Sequence, residues 1–376
     1  MDKPFIGLMS GTSMDGIDGV LARFAPRLQV LAHAHVPLPA GFVAEALALN
    51  QPGANELHRA ALLANALAEQ QAQLVERLLA GAGLDAAAVA AIGSHGQTVR
   101  HRPGEFDGTG YTLQVNQPAL LAERTGIDVI ADFRARDIAA GGQGAPLVPA
   151  FHAAVFGAAH VPRAVLNLGG IANLSLLAPG RDAAPATLRA GFDSGPANLL
   201  MDGWCQRHLG AACDVDGRWA AGGRVDAALL ARLLAEPYFH QPGPKSTGRD
   251  RFHLGWLDAH LAALAGPAPA PQDVQATLLE LTARTATDAL RAEAPATREL
   301  LVCGGGAFNA ALMARIAALW PEGPVASTAT AGLPPDQVEA TAFAWLAWRF
   351  TQGLPGNDPV ATGARGPRVL GARYPA

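Results

Sequence analysis

Hydrophobic and polar residues follow one another in short blocks that predict the same local structure twice along this chain. In the first half, apolar runs at 5–9 and 17–21 flank a glycine-containing polar segment. In the second half, runs at 165–168 and 174–177 flank another. Short apolar runs separated by glycine and polar residues are typical of a β-hairpin. The pattern therefore predicts a strand, a tight turn and a second strand in each half.

Further periodic segments extend each hairpin into an α/β pattern. Helical spacing predicts long helices at 55–80 and 274–292, and the first of them is stopped by glycines. Other predicted strands lie at 28–38, 89–93, 111–115, 127–131, 189–192 and 300–303, and other predicted helices at 118–124, 197–209, 310–319 and 338–350. Strands that alternate with helices indicate α/β domains.

The glycine-rich stretch 141–146 is the predicted hinge or crossover, because the strand pattern restarts after it. The sequence thus predicts an N-terminal domain at 1–135 and a C-terminal domain with insertions at 136–376. The helix around 338–352 is expected to pack back on the N-terminal domain. Two hairpins in related positions suggest a duplicated domain with a ligand held between the copies.

Composition restricts the class of protein. The 376 residues are enough for two domains that each bury a core. Half are hydrophobic and 16% are charged, with a net charge of −4, so neither nucleic acid nor an anionic membrane is an expected partner. The three cysteines fit no disulfide framework or zinc site, and neither a signal peptide nor a membrane span is predicted. We therefore expect a cytoplasmic protein.

The glycine turns are candidate phosphate sites, because glycine lets backbone N–H groups approach an anion closely. The first turn, 10–18, also carries Asp15 and Asp18, whose carboxylates could hold Mg²⁺, usually through water. The second turn, 167–173, repeats its setting. A third glycine segment, Gly304 to Gly306, follows a strand and precedes a helix, where it could serve a phosphate or an adenine ring. For each segment the alternative is an ordinary structural turn.

Isolated polar residues at strand ends are the other candidates. Asp193 follows a predicted strand and precedes a helix, which suits either a general base or a helix N-cap. Glu339 at the start of a helix is more simply explained by the helix dipole. Four more residues in loops at strand ends could bind a substrate hydroxyl or amide. They are His95, Gln97, Asp132 and Arg134.

Several common motifs are excluded. The segment 243–247 resembles the end of a P-loop, but Pro244 precedes Lys245 and no strand leads into it. None of the glycine segments is a dinucleotide-binding fingerprint, which argues against hydride transfer. No nucleophile elbow argues for acyl transfer.

Together these segments resemble one family closely, the anhydro-N-acetylmuramic acid kinases. The matching segments run in family order over nearly the whole chain, at 7–18, 94–98, 132–134, 141–149, 167–173, 192–198, 245–250, 304–309 and 339–344. Departures are small: Ser194 stands where a threonine is usual, Ala197 where a glycine is usual, and Gly243 where proline is frequent. The segment 353–363 matches more loosely.

The resemblance implies an α/β fold of the actin, hexokinase and heat-shock ATPase type. Two ribonuclease H-like domains would enclose an active-site cleft. The reaction it implies uses ATP to phosphorylate O6 of 1,6-anhydro-N-acetylmuramic acid while water opens the anhydro bridge at C1. The product would be N-acetylmuramic acid 6-phosphate, in peptidoglycan recycling. ATP, Mg²⁺ and a homodimeric state are implied as well.

The resemblance also assigns roles to residues. Asp193 would be the base that takes a proton from water. Asp15 and Asp18 would hold Mg²⁺ through water, and His95, Gln97, Asp132, Arg134 and Glu339 would bind the sugar. The implied ATP-binding residues are Gly11, Thr12, Ser13, Met14, Asp15, Gly16, Ile17, Asp18, Gly169, Gly170, Asn173, Gly304, Gly305, Gly306 and Asn309. Lys245 has no assigned role.

Two alternatives stay open at this point. One is an actin-like kinase that transfers phosphate to another amino sugar without opening a ring. The other is a nucleotide-gated interaction protein, since the same fold also supports chaperones and filaments.

Overall fold

The computed structural model describes residues 3–11, 14–180, 185–243 and 245–376. The chain forms two compact α/β units, one made of 1–151 with 337–376 and the other of 152–336. The first unit thus contains 136–151 and the last forty residues in addition to the range 1–135 drawn from the sequence. Within the described residues, no helix is long and apolar enough to cross a membrane.

The strands are numbered in chain order. They are β1 (Phe5–Ser10), β2 (Gly16–Arg23), β3 (Gln29–Pro37), β4 (Ala91–Ser94), β5 (Gln97–Pro103), β6 (Gly110–Val115), β7 (Val129–Ala131), β8 (Arg163–Leu168), β9 (Ile171–Ala178), β10 (Thr187–Pro196), β11 (Glu299–Cys303), β12 (Val325–Ser327) and β13 (Ala372–Tyr374).

The helices are numbered in the same way. They are α1 (Ala40–Ala48), α2 (Glu56–Ala82), α3 (Pro118–Thr125), α4 (Ala135–Ala139), α5 (Val148–Phe156), α6 (Asn198–Leu209), α7 (Arg218–Ala221), α8 (Ala227–Leu234), α9 (Leu254–Ala262), α10 (Pro271–Glu293), α11 (Ala310–Leu319), α12 (Val338–Thr351) and α13 (Pro359–Thr362).

The first unit is built on a sheet with the order β13-β7-β4-β1-β2-β3. Strands β1 and β2 form the predicted antiparallel hairpin, with Ser10 opposite Ile17, and β4 lies parallel to β1 on its other side. Helix α12 packs directly on β1. A Cβ at Gly7 would overlap the carbonyl oxygen of Ala340 and lie 2.5 Å from the amide nitrogen of Ala344. Glycine at position 7 is therefore what lets the helix approach the sheet so closely.

The second unit repeats this arrangement in the order β10-β9-β8-β11-β12. Strands β8 and β9 form the second predicted hairpin, with Leu168 opposite Ala172, and β11 lies parallel to β8. Each of these two sheets therefore has three consecutive antiparallel strands, with parallel strands on the far side of the first one. In the first unit, β13 adds an antiparallel strand at that edge. This order confirms the prediction of two ribonuclease H-like α/β units.

Each unit has its own hydrophobic core. In the first, the apolar face of α2 packs with β1 and β2 around buried residues such as Leu8, Leu21 and Leu67. In the second, α10 packs with β9 and β10 around Leu174 and Leu278 among others. Both long helices were predicted from their spacing, and both form within three residues of the predicted ends.

Some predicted elements are wrong in extent. The strand expected at 189–192 continues to Pro196, because its residues keep pairing with β9 beyond a bulge between Asp193 and Gly195. The segment 94–98, expected as a loop, contains the start of β5 at Gln97. The region beyond Gly353, where the sequence predicts no element, contains α13 and β13.

Candidate active site

In the second unit, two of the predicted glycine segments lie side by side. Strands β8 and β11 are parallel neighbours, with Asn167 opposite Cys303, so the turns that follow them leave the sheet at the same edge. A Cβ at Gly306 would lie 2.5 Å from the Cβ of Leu168. The turn at 169–170 and the loop at 304–309 are therefore in contact, at the edge of an α/β sheet where ligands commonly bind.

The start of α6 fixes the turn between β8 and β9. The carbonyl of Gly170 accepts hydrogen bonds from the amides of Ala197 and Leu199, at 3.0 and 3.2 Å, and that of Gly169 accepts one from Asn198 at 3.0 Å. The side-chain amide of Asn198 donates to the carbonyl of Leu168 at 2.9 Å. These hydrogen bonds tie the turn to the first residues of α6.

Only some of the glycines in this region are required by the fold. Gly304 has φ +79°, a conformation that favours glycine, and Gly306 is crowded by Leu168. In contrast, a Cβ at Gly169, Gly170 or Gly305 would meet nothing closer than 3.6 Å, and none of the three has positive φ. The packing of the protein itself leaves room for a side chain at these three positions. Glycine there leaves an open cradle of backbone that a Cβ would fill.

Asp193 lies within β10, opposite Asn173 of β9. Helix α6 begins at Asn198 with Ala197 as its N-cap, so the alternative that Asp193 caps this helix is wrong. The strand continues past Asp193 because pairing with β9 outweighs the turn preference of the residues that follow. The carboxyl group is therefore carried by a sheet and not by the end of a helix.

Three residues of the segment 238–247 bind Asp193. The Thr247 amide donates to Oδ2 at 3.0 Å, the Asp193 amide donates to the carbonyl of Lys245 at 3.0 Å, and the Tyr238 hydroxyl donates to the carbonyl of Asp193 at 2.8 Å. Asp193 is only partly exposed, and the loss of hydration raises the pKa of its carboxyl to about 7, although the Thr247 hydrogen bond acts in the opposite direction. The group thus titrates near neutral pH.

Lys245, which has no role assigned from the sequence, anchors this segment. Its ammonium group donates to the carbonyls of Tyr238 and Phe239, at 3.0 and 3.2 Å, and lies 4.8 Å from the centre of the Tyr238 ring. Phe239 in turn stacks on Phe252 at 5.5 Å. Tyr238 and Thr247 were not predicted as neighbours of Asp193. Thr247 lies in the family-like segment 245–250, whereas Tyr238 lies outside every matching segment.

In the first unit, the first glycine turn is joined to Gln97. The carbonyl of Gly11 accepts hydrogen bonds from the Gln97 side chain at 3.2 Å and from the Met14 amide at 3.3 Å, and Ser10 donates to the Gln97 side-chain oxygen. The side chains of Met14 and Ile17 are buried in the core, which leaves only their backbone for a ligand. The predicted Thr12 and Ser13 lie outside the described residues.

The two acidic residues of this turn have different surroundings. Asp15 is exposed, whereas Asp18 lies on β2 with its Oδ1 atom 2.9 Å from His35 Nδ1 and 3.8 Å from His33 Nε2. Among the described residues, no group of three or more histidine, cysteine or acidic side chains could hold a metal. Any ion at this turn would therefore take most of its ligands from water and from the bound substrate.

His95 and Arg134 form a polar pair in the first unit. Arg134 donates from Nε to His95 Nε2 at 3.1 Å and from a terminal nitrogen to the carbonyl of Gly144 at 2.8 Å. Because His95 Nδ1 lies 2.7 Å from the carbonyl of Gly96, Nδ1 carries the ring proton and Nε2 accepts. Burial and the Arg134 charge lower the pKa of His95 to about 3, and burial lowers the pKa of Arg134 to about 10.

Helix α12 contributes to the same region. The Phe343 ring lies 4.7 Å from the His95 ring, and the charge of Glu339, in the first turn of α12, favours the charged form of Arg134. Asp132 has φ +58°. The residue is exposed, but the protein atoms around its carboxyl displace part of the water there, and this loss of hydration raises the pKa of the carboxyl. The first unit thus brings His95 and Arg134 together, with Glu339 close enough to act on the pair electrostatically.

A cavity of about 560 Å³ opens in the second unit between α7, α8, α10 and α11. Small apolar side chains such as Ala276 and Ala311 line it, and Glu280 accepts hydrogen bonds from Arg284 and Arg315 at 2.6 and 2.5 Å on its border. Helix α11 begins directly after Asn309, whose side chain caps it by accepting from the Leu312 amide at 3.0 Å. The cavity therefore adjoins the helix that the third glycine segment introduces.

Comparison with known proteins gives the same family along the whole chain. The family model described as anhydro-N-acetylmuramic acid kinase matches residues 3–376. The anhydro-N-acetylmuramic acid kinase of Bordetella petrii is 62% identical over 375 residues, which cover 99% of this chain and 96% of that protein. The protein of the same name from Variovorax paradoxus is 60% identical over 374 residues, covering 99% of both.

One solved structure with a similar course of the chain is the activator of the 2-hydroxyisocaproyl-CoA dehydratase from Clostridium difficile with bound ADPNP. It covers 93% of this chain and 96% of its own, at 12% identity and a TM-score of 0.46. The family model and the relatives at 60% identity or more settle the assignment on sequence. This chain belongs to the anhydro-N-acetylmuramic acid kinase family.

Proposed function

We propose that this protein uses ATP to phosphorylate O6 of 1,6-anhydro-N-acetylmuramic acid while water opens the anhydro bridge. The products are N-acetylmuramic acid 6-phosphate and ADP, and the reaction serves peptidoglycan recycling. Family membership supports the kinase class and the sugar. The single observation that carries the hydrolytic half of the reaction is the environment of Asp193.

Asp193 is suited to the role of general base. A base works best when its pKa lies near the operating pH, and burial raises the pKa of this carboxyl to about 7. Its partial exposure leaves it open to water. Its hydrogen bonds to the segment 238–247 hold it in place on a rigid strand.

In the proposed reaction, cleavage of the bond between C1 and O6 is coupled to phosphoryl transfer through O6. The water oxygen bonds to C1 and one water proton passes to Asp193. The C1–O6 bond breaks, and its electron pair leaves on O6. That oxygen attacks the γ-phosphorus, whose bond to the bridging oxygen breaks and releases ADP. Asp193 then returns its proton to solvent.

Backbone groups are proposed to hold the phosphates. In the second unit, Gly169, Gly170 and Asn173 are assigned to them, because the protein's own packing does not require glycine at 169 and 170. In the first unit the turn from Gly11 to Asp18 is assigned the same task. Phosphoryl transfer needs mainly such positioning and charge neutralisation.

Mg²⁺ is proposed as the accompanying ion. It usually keeps several waters and takes one or two carboxylates plus substrate phosphates, and a turn with Asp15 and Asp18 fits that donor set. These two residues would hold it, mainly through water. Its contribution when bound would be to neutralise charge on the transferred phosphoryl group.

The adenosine moiety is assigned to the segment Gly304 to Gly306 and to the 560 Å³ cavity, which reaches Ala311 in the first turn of α11. Gly305 leaves its backbone open, and the small apolar lining suits a flat ring. Gly304, Gly306 and Asn309 then shape the site without touching the ligand through side chains of their own, since Asn309 is used as the cap of α11.

The sugar is assigned to the polar side chains of the first unit. Arg134 is proposed to bind the lactyl carboxylate, since it keeps its charge at neutral pH and a guanidinium suits planar anions. His95 orients Arg134, and Gln97, Asp132 and Glu339 are proposed to bind hydroxyl or amide groups. We also propose that the protein works as a homodimer in the cytoplasm, where its ATP is available.

The decisive experiment measures ATP consumption with and without 1,6-anhydro-N-acetylmuramic acid, in water enriched in ¹⁸O. The expected result is sugar-dependent ADP formation, with one ¹⁸O at C1 of the product. Phosphorylation without label would mean simple transfer to a hydroxyl, and no sugar-dependent turnover would remove the proposed function altogether.

A further inference from the structure

The hydroxyl group of Thr247 is buried and lacks a hydrogen-bond partner among the described residues. A threonine hydroxyl can both donate and accept, and leaving it unpaired away from water is unfavourable. Buried polar atoms without partners are rare in native proteins, and each calls for an explanation such as a catalytic role.

The position of this hydroxyl supplies the explanation. The amide of the same residue donates to Asp193 Oδ2 at 3.0 Å, so the side chain of Thr247 is attached to an atom in direct contact with the proposed base. The preceding Lys245 is tied to Asp193 through its carbonyl and to Tyr238 and Phe239 through its ammonium group. The segment is thus anchored at Lys245 and at the Thr247 amide, which keeps the side chain of Thr247 close to the carboxyl.

We propose that the Thr247 hydroxyl is a further catalytic group that holds the attacking water beside Asp193. This inference rests on the proposed function. The hydroxyl accepts the water hydrogen that is not transferred, and Asp193 takes the other one. Since the Thr247 amide already donates to Oδ2, we assign the transferred proton to Oδ1. The water oxygen then bonds to C1 with its lone pair directed by two fixed contacts.

The test compares three variants of the full-length protein. Thr247→Val removes the hydroxyl but keeps the shape and the main-chain amide, Thr247→Ser keeps the hydroxyl, and Ser246→Ala changes an exposed hydroxyl on the same segment. The measurements are kcat and KM for ATP and for the anhydro-sugar, the pH profile of kcat/KM, and the melting temperature without ligands.

Loss of one fixed contact to the nucleophile is expected to lower kcat about tenfold to a hundredfold in Thr247→Val. The midpoint of the pH profile should stay in place, because the amide that contacts Asp193 is retained. The melting temperature should not fall, since the hydroxyl has no hydrogen-bond partner among the described residues. Thr247→Ser should keep kcat within about threefold of the wild type, and Ser246→Ala should equal it.

Other results would overturn the inference. They include a wild-type kcat in Thr247→Val, an equal loss in Thr247→Ser, or a lower melting temperature, which would reveal a structural hydrogen bond. A raised KM for the sugar at unchanged kcat would assign the hydroxyl to sugar binding instead. All four presuppose an active wild type, so a wild type without sugar-dependent turnover is recognised separately as failure of the proposed function.

Discussion

Both units hold polar groups away from water, but with opposite chemical results. In the first unit, burial lowers the pKa of His95 to about 3 and that of Arg134 to about 10, so neither changes its charge near pH 7. In the second unit, burial raises the pKa of Asp193 to about 7, so this group is half protonated there. The same physical cause produces fixed charges in one unit and a proton acceptor in the other.

The difference separates binding from chemistry. A cation that stays charged and a histidine that stays neutral recognise a ligand equally well over a wide pH range. A carboxyl poised near neutrality is what proton transfer needs. We therefore expect changes in the first unit to act on KM for the sugar and changes at Asp193 to act on kcat.

The largest effect is expected at Asp193. Asp193→Asn keeps the size of the side chain but cannot take a proton, so kcat should fall about 10²- to 10⁴-fold while both substrates still bind. Steady-state turnover together with direct measurement of nucleotide and sugar binding checks this. Asp258→Asn, at an exposed carboxylate paired with Arg207, is the matched control and should keep its activity. Substantial turnover in Asp193→Asn would show that Asp193 is not the general base.

The next effect concerns Arg134. Arg134→Lys retains a positive charge but cannot donate from one plane to His95 and to the Gly144 carbonyl together. KM for the sugar should rise about tenfold to a hundredfold, as for a lost hydrogen bond to a charged group, with a smaller change in kcat. Arg136→Lys on the exposed side of α4 is the control. If kcat fell and KM did not, the division between binding and chemistry would be wrong.

The pH dependence distinguishes the units without any mutation. Below about pH 7, kcat/KM should fall about tenfold per pH unit as Asp193 becomes protonated. The free energy of unfolding should show the opposite trend and increase as the pH falls. The carboxyl has a pKa of about 4 in the unfolded chain, so the folded protein binds this proton more tightly and the stabilisation is lost as pH rises through 7.

Rate profiles and melting temperatures between pH 4 and 8, compared with those of Asp193→Asn, check both trends. An unchanged melting profile in the variant would show that the Asp193 pKa is not raised.

The smallest effect compares the two hairpins. Gly170→Ala should fold normally, because its Cβ meets nothing closer than 3.9 Å, yet KM for ATP should rise several-fold to about tenfold through a clash with phosphate. Gly16→Ala instead brings a Cβ against the His35 ring and 2.7 Å from the Val36 carbonyl oxygen, and should lower stability by about 1–3 kcal/mol. Melting curves and ATP titrations separate the cases. A destabilised Gly170→Ala would mean that glycine 170 is structural.

Much of the fold could be predicted because it depends on local patterns. The two hairpins and the helices α2 and α10 follow from runs and spacing that are visible in the sequence. The extension of β10 could not be predicted, since the residues after Asp193 favour a turn and only their partners on β9 keep them extended. Such pairing is a tertiary effect that overrides local preference.

Part of the candidate site could likewise be predicted from the sequence, and part could not. Its glycines and Asp193 stand out as residue types in a suggestive local setting. The contact of His95 with Arg134 joins positions 39 residues apart, and that of Asp193 with Thr247 joins positions 54 apart. Neither contact nor the unpaired hydroxyl has a local signature, because each depends on where distant segments meet.

The way the first unit is threaded has a consequence during synthesis on the ribosome. Strand β13 forms one edge of its sheet and α12 covers β1, and both elements come from the last forty residues. The second unit, in contrast, is one continuous segment from 152 to 336. As the chain emerges, the second unit has all its residues before the first one does. Until α12 has been synthesised, the face of β1 at Gly7 is uncovered. We therefore expect the nascent first unit to be more prone to aggregation than the second.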